Sequence, residues 1–336
     1  MTLATKKVVP DASASLLSVK GLKTHFATRA GIIKAVDGVD IELGRGEILG
    51  LVGESGSGKS ITGFSILGLI DPPGQVAGGS ITYDGRDLVS LDEEGRRKLR
   101  GNDIAMIFQD PSMTLNPVLR VDTQMIEAMR AHANVSKALA RVRAREVLVM
   151  VGIPSPDERL RSYPHELSGG MRQRIAIAIA LMNRPRLIIA DEPTTALDVS
   201  IQGQIIHEVK KLCRQVGTAL IWVTHDLAVV AGLADRIAVM YAGRIVEMGT
   251  AAEIIEQPRH PYTRGLIDSV PSRSTRGHRL HQIPGMTPSL LNLPVGCAFR
   301  ERCGHAMNRC SSEPNETILS SGRSYRCWNP LGGEPA

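Results

Sequence analysis

The sequence predicts an α/β fold: a parallel-sheet core, an antiparallel β layer, a helical subdomain and a small cysteine-rich C-terminal extension. Three observations carry that reading. Residues 48–52 and 187–190 are unbroken apolar runs, the pattern of strands buried on both faces of a parallel sheet. Strand and helix signals alternate from 186 to 248, as in a sheet with helices on its faces. Four of the five cysteines crowd into the last forty residues.

Composition bounds the rest. The chain has 336 residues and no internal repeat, enough for one large domain plus a smaller addition. A hydrophobic fraction of 43% supports a full core. No stretch of eighteen or more apolar residues occurs, and the N-terminus lacks a secretory pattern. The protein is therefore expected to stay in the cytosol unless a partner holds it at a membrane. Net charge is +6, but aromatics are only 3%, too few for base-stacking platforms. The charge reads as solvated face, compatible with a membrane surface, and no nucleic-acid partner is expected. Arg96-Arg97-Lys98-Leu99-Arg100 reads likewise as an exposed helix face.

Residues 1–15 read as a flexible tail. From 16 to about 85, apolar and polar residues alternate between turn signals. Val19-Lys20-Gly21-Leu22-Lys23-Thr24-His25 suits the antiparallel layer, and Asp84-Gly85-Arg86 is a hairpin signal. Within this stretch lies Gly53-Glu54-Ser55-Gly56-Ser57-Gly58-Lys59-Ser60, between an apolar strand and a helix opening at Ile61. It fits G-x-x-x-x-G-K-[ST]. Its glycines let backbone N–H groups curl inward around phosphate oxygens, and the helix start adds a favourable dipole. Lys59 is expected to reach the β- and γ-phosphates, and the Ser60 hydroxyl to ligate Mg²⁺.

From about 111 to 180 the pattern turns helical, and Pro154, Pro156 and Pro164 interrupt it. Met125, Met129 and Met150 read as helix core there. Leu167-Ser168-Gly169-Gly170-Met171-Arg172-Gln173 follows, with Ser168 placed to cap a helix from Gly169 and to form an anion site with the first-turn N–H groups. Next comes the run 186–190, ending in Asp191-Glu192. Ligands gather at the carboxyl ends of such strands. Asp191 is thus placed for Mg²⁺, and Glu192 for the attacking water as general base. A second apolar strand leads to Thr224-His225.

Together these motifs resemble the nucleotide-binding subunit of an ATP-binding cassette transporter, over about residues 16 to 250. The resemblance implies a P-loop NTPase (RecA-like) core, with the helical subdomain at about 111–180. Gln109, in Ile107-Phe108-Gln109-Asp110-Pro111, is similar to the family's glutamine loop, which contacts Mg²⁺ and the water and senses the membrane partner. His225 resembles the switch histidine, Ala196-Leu197-Asp198 the loop crossing the dimer interface, and Phe26 the aromatic that stacks on adenine. The implied catalytic set is Lys59, Gln109, Glu192 and His225, with Ser60, Gln109 and Asp191 at Mg²⁺. The implied ATP contacts are Phe26, residues Gly53, Glu54, Ser55, Gly56, Ser57, Gly58, Lys59, Ser60 and Ile61, and the turn Ser168, Gly169, Gly170 with Gln173 and Asp198. In that family the serine-glycine-glycine turn grips the γ-phosphate bound to the opposite subunit, so two cassettes must meet.

Closer strings narrow the resemblance to the dipeptide, oligopeptide and nickel importers: Leu115-Asn116-Pro117, residues 192–202 and His260-Pro261-Tyr262-Thr263-Arg264-Gly265-Leu266. The implied partners are a second ATPase subunit, identical or not, two transmembrane permease subunits and an extracytoplasmic solute-binding protein. The implied location is peripheral, on the cytoplasmic face of the inner membrane. The competing reading is a soluble cassette ATPase acting on ribosomes or DNA. Such relatives carry two cassettes or a very long coiled coil, and neither is seen in this sequence.

The extension, residues 251–336, holds Cys297, Cys303, Cys310 and Cys327. Stable disulfides are disfavoured in the cytosol, so clustered thiols suggest a metal. Their spacing, C-x5-C-x6-C-x16-C, is wider than zinc pairs usually are and suits four-cysteine ligation of an iron–sulfur cluster. In some importer relatives this tail holds a 4Fe–4S cluster. Zinc remains the alternative. Either would staple a proline-rich segment too poor in apolar residues to fold alone. Cys213 stands apart and reads as helix core.

Overall fold

The computed structural model describes residues 15–194, 199–270 and 282–333. Two sheets organise it. The first is antiparallel: β1 (Leu17–Thr28), β2 (Gly31–Leu43), β4 (Gly74–Tyr83) and β5 (Arg86–Asp87), in the order β2-β1-β4-β5. Its last hairpin turns at Asp84 and Gly85, both at positive φ, as a tight two-residue loop between twisted strands requires.

Among the described residues the second sheet runs in the order β11 (Thr317–Ile318), β12 (Ser324–Tyr325), β10 (Arg244–Thr250), β9 (Arg236–Tyr241), β3 (Ile48–Val52), β8 (Ala219–Thr224), β7 (Leu187–Asp191) and β6 (Ile104–Ile107). Its parallel part is β3, β6, β7, β8 and β9. Both faces are covered, which is why these strands lack polar alternation. Leu49, Leu51, Ile189, Ile221 and Val223 join a core with Val19, Val36 and Ile41 of the antiparallel layer and Ile66 and Leu67 of helix α1 (Lys59–Leu67). Ile48, Val52, Ile188, Ala190, Leu220 and Trp222 face the other way, into the core shared with the helices.

Those helices are α3 (Val121–Arg130), α4 (Lys137–Met150), α6 (Gly169–Leu181) and α7 (Val199–Val216). Their apolar faces supply Met125, Val147, Leu148, Ile175 and Cys213 to that core. Cys213 is core as expected, and burial pushes its thiol up to about 12. Short α2 (Glu93–Leu99) precedes β6, and α5 (Pro156–Arg159) starts on Pro156, where a missing N–H costs nothing. The basic run at 96–100 is only partly a solvated face. Leu99 is buried, and Arg100 donates to the carbonyls of Leu67 (2.8 Å) and Gly68 (2.7 Å), satisfying the open end of α1.

The C-terminal region departs from a separate stapled appendage. Helix α8 (Leu227–Leu233) lies between β8 and β9, and β10 (Arg244–Thr250) turns antiparallel to β9. Tail strands β12 (Ser324–Tyr325) and β11 (Thr317–Ile318) then pair onto β10 and extend the main sheet. The tail also completes the large core: Phe299 stacks edge-on with Tyr241 (5.3 Å) and with Tyr262 (5.3 Å) of α10 (Pro261–Asp268). A segment poor in its own apolar residues borrows a core from the sheet it covers.

Glu247 of β10 anchors this arrangement. It is fully buried and accepts from the N–H groups of Arg259 (2.7 Å) and His260 (2.9 Å) and from Arg323 Nη2 (2.5 Å). Helix α9 (Ala251–Glu256), closed by a Thr250–Glu253 capping box, carries the chain between them. The His-Pro-Tyr string thus has a local reason. His260 Nδ1 accepts from Tyr262 N (3.0 Å) while the His260 backbone N–H donates to Glu247. Removing one partner of a buried pair strands the other charge. Arg323→Ala should therefore cost about 3–5 kcal/mol in urea unfolding. A loss under about 1 kcal/mol would remove Glu247–Arg323 as the anchor.

Candidate active site

Because β3, β6, β7 and β8 run in parallel, the residues after their carboxyl ends meet at one edge of the sheet. A cavity of about 960 Å³ opens there. Glu54, Ser55, Gly56, Gly58, Lys59, Ser60 and Ile61 line one wall, and Gln109, Glu192 and His225 line another. Ala35 of β2, Leu266 and Ser269, and Gln282, Ile283, Thr287 and Arg302 of the tail complete it.

The loop after β3 can only be built with glycine at its close approaches. A Cβ on Gly53 (φ 156°) would lie 2.1 Å from the Met240 carbonyl oxygen, and one on Gly58 (φ 103°) 2.2 Å from that of Ala35. Lys59 is nearly buried and donates to the carbonyls of Gly53 (2.8 Å) and Glu54 (2.9 Å). Burial pulls its pKa below the ordinary lysine value, against the pull of Glu192, Asp191 and Glu54. Ser60 Oγ donates to Asp191 Oδ1 at 2.9 Å, joining the loop to the end of β7. Asp191 is buried, and desolvation raises its carboxyl despite that hydrogen bond and Lys59, with Glu192 adding to the rise. Ser57 is fully buried and its carbonyl accepts from Gly243 N, so it shapes the loop from beneath.

Glu192 sits at φ 43°, a strained conformation for a non-glycine residue. The strain aims its carboxylate between two partners. His225 Nδ1 lies 3.1 Å from Oε1, and Gln109 Nε2 donates to Oε2 at 3.3 Å. Lys59, Ser60, Asp191, Glu192, Gln109 and His225 are therefore one connected constellation, suited to a bound triphosphate, a hard divalent cation on Ser60 and Asp191, and a water at Glu192.

The serine-glycine-glycine turn lies elsewhere. Ser168 caps α6, accepting from Met171 N at 3.3 Å as its sequence implied. Ser168 and Gly169 are exposed, Gly170 is half-buried, and none of the three lines the cavity. Two further expected contacts, Gln173 and Phe26, also lie off the cavity lining. Gln173 is buried within α6, one turn further along on the inward face. Phe26 does not line the cavity either. Its ring lies against Gly74, in space that a Cβ there would take, 2.4 Å from Phe26 Cε1. Asp198 lies outside the described residues.

Sequence reasoning missed the tail's share of this site. Arg302, Thr287 and Tyr262 all bond Glu54. The available signal was a carboxylate inside an anion-binding loop, which needs a counter-charge. The four tail cysteines carry no disulfide, and Cys297 N donates to the Cys310 carbonyl at 3.0 Å. Burial first, and then the neighbouring thiols, push Cys297 and Cys327 up, the latter to about 12. The thiols thus share one neighbourhood. Among the described residues, however, no three His, Cys, Asp or Glu side chains are set to hold a metal ion, so neither the zinc nor the iron–sulfur expectation finds a finished site.

Comparison with known proteins places this geometry. The family profile described as ABC transporter matches residues 36–195, and that described as oligopeptide/dipeptide transporter, C-terminal region, matches 246–310. The chain is 47% identical to the oligopeptide transport ATP-binding protein OppD of Escherichia coli (strain K12), over 98% of this chain and 97% of that one. It is 48% identical to the dipeptide transport ATP-binding protein DppD of Bacillus subtilis (strain 168), over 93% and 94%. Among solved structures, the dimeric post-hydrolysis state of the ATP-binding cassette MJ0796 bound to ADP and Pi matches with a TM-score of 0.64 at 30% identity. That match covers 70% of this chain and 98% of the other.

The Ser60–Asp191 bond makes a direct prediction. Without the hydroxyl the carboxylate loses its one hydrogen-bond donor among the causes that lower it, so Ser60→Ala should move the Asp191 pKa higher. Asp191 would then stay protonated to a higher pH. A carboxyl ¹³C titration reads this directly, and an unchanged or lower value would contradict it.

Proposed function

The chain belongs to the ATP-binding cassette (ABC) transporter family, and from that membership we propose that it is the ATP-binding and ATP-hydrolysing subunit of an importer for oligopeptides, dipeptides or a related small solute. The observation that carries the reading is a split site. One cavity gathers Lys59, Ser60, Gln109, Glu192 and His225, while the capped turn at Ser168 stands exposed outside it. A triphosphate held by the first needs the second from a facing subunit. The solved cassette it resembles is itself described as dimeric.

On this reading each residue takes a role. Lys59 carries the charge that meets the β- and γ-phosphates, leaving its bonds to the Gly53 and Glu54 carbonyls. The loop N–H groups and the start of α1 hold the remaining oxygens. Ser60, Asp191 and Gln109 would hold Mg²⁺ through oxygen, and the bound cation would offset charge developing on the phosphates. Glu192 takes the proton of the attacking water, and His225 and Gln109 fix its carboxylate. Ser168, Gly169 and Gly170 close over the γ-phosphate from the partner, with Asp198 at the same interface and Phe26 at the adenine side.

The partners follow from the same reading: a second cassette subunit, two transmembrane permeases and an extracytoplasmic solute-binding protein. No helix among the described residues is long and apolar enough to cross a membrane, so attachment to the cytoplasmic face of the inner membrane would run through the permeases. The tail cysteines would hold a 4Fe–4S cluster. Its support is the convergence of four unpaired thiols, since such a cluster takes one sulfur per iron around a body, not a point.

Two experiments test these assignments. Glu192→Gln should bind ATP normally yet hydrolyse it roughly 10²–10⁴-fold more slowly, because the water loses its base. Near-normal turnover would remove Glu192 from that role. Anaerobic preparations should contain about four iron and four sulfide per chain, and Cys303→Ser substoichiometric amounts. Full iron content after loss of all four thiols would exclude the cluster.

A further inference from the structure

Glu54 is an odd residue for a loop that receives phosphate, because its carboxylate would repel the ligand. The structure holds it away from that role. Arg302 grips it with both arms of its guanidinium, Nη1 to Oε2 at 2.6 Å and Nη2 to Oε1 at 2.9 Å. Thr287 Oγ1 donates to Oε2 at 3.1 Å, and the Glu54 N–H donates to Tyr262 Oη at 2.8 Å. Side chain and backbone of one loop residue are thus both bound by the C-terminal region. Burial opposes ionisation of Glu54, but the Arg302 bonds and charge hold it below the ordinary carboxylate range.

Arg302 is itself fixed. It is 7% exposed, its Nε donates to the Pro284 carbonyl (2.8 Å), and its guanidinium packs over the rings of Tyr241 and Phe299. It ends the short turn Arg300–Arg302, whose first N–H bonds the Cys297 carbonyl and whose first carbonyl accepts from Cys303 N. On the other side, the Glu54 carbonyl accepts from Lys59. An unbroken chain of contacts therefore runs from the cysteine-bearing turn through Arg302 and Glu54 to the phosphate-binding lysine.

Resting on the reading that this cavity binds ATP, we propose that Arg302 is a positioning residue for the nucleotide: through Glu54 it keeps the phosphate loop in its binding conformation before ligand arrives. A glycine-rich loop that must be ordered by its ligand takes that entropy from affinity, about 1–2 kcal/mol per residue fixed. A preset loop does not. Bidentate charge-assisted pairing is strong and directional enough to set one geometry.

The full-length protein, prepared anaerobically, tests this with three readouts: calorimetric affinity for MgADP, the KM and kcat of ATP hydrolysis, and amide exchange of residues 54–58. Arg302→Ala should raise both the MgADP Kd and the ATP KM roughly tenfold, change kcat less than about threefold, and speed exchange in the loop. Arg302→Lys, which keeps charge but loses the fork, should fall between. Combining Arg302→Ala with Glu54→Gln should add little to the larger single effect. If Arg302→Ala does not fold, Glu54→Gln and Thr287→Val decide by the same readouts. Kd, KM and loop exchange all within twofold of wild type would overturn the positioning role. A wild-type protein that fails to bind MgADP would instead overturn the nucleotide reading beneath it.

Discussion

Parallel strand direction is the constraint from which the site follows. β3, β6, β7 and β8 pair in register and point the same way, so Gly53, Phe108, Glu192 and His225 must leave the sheet at one edge. No side chain has to reach across the molecule. The apolar strands make this register affordable to hold, because each is buried on both faces between the antiparallel layer and the helices. A one-residue slip in any of them would exchange its two faces and move its terminal residue out of the constellation. Packing in the interior and chemistry at the edge are therefore fixed by the same pairing.

At that edge, charge balance sets the state of the groups. Lys59, Asp191 and Glu192 are crowded together in poorly solvated surroundings. Burial shifts Lys59 and Asp191 toward neutrality, each in its own direction, while their mutual attraction opposes it. Such a set is ready for a ligand that brings both signs, a polyphosphate with its cation, since each half meets its opposite. The strained backbone at Glu192 fits the same picture. It is tolerated because His225 and Gln109 hold the carboxylate from two sides.

Much of this was legible in the sequence, for reasons that can be named. The phosphate loop, Asp191-Glu192 and His225 each follow a short apolar strand, and a strand's end is readable because the apolar run stops there. Ser168 was readable as a cap because small polar residues before a helix have one common use. The burial of Gln173 was not legible, because membership of a motif says nothing of which way a helix turns a residue. The setting of Phe26 was not legible because its neighbour is Gly74, paired from another strand and invisible locally. The tail was harder still. Short pieces such as Thr317–Ile318 and Ser324–Tyr325 have no periodicity to detect, and they become strands only because β10 offers an edge.

Arg302 belongs to the same class of hidden residue, and its position changes what the tail is for. A segment that merely covered the sheet would need Phe299 and Glu247–Arg323 and nothing more. Instead the turn between two cysteines delivers a buried guanidinium to the second residue of the phosphate loop, the partners standing 248 residues apart in sequence. Contacts that distant cost closure entropy to form, so they are seldom incidental in a buried setting. Whatever holds the cysteines in place also holds Arg302. The rigidity of the loop that meets phosphate is then a property of the whole fold, and a cassette cut at residue 250 would keep every motif while losing the clamp.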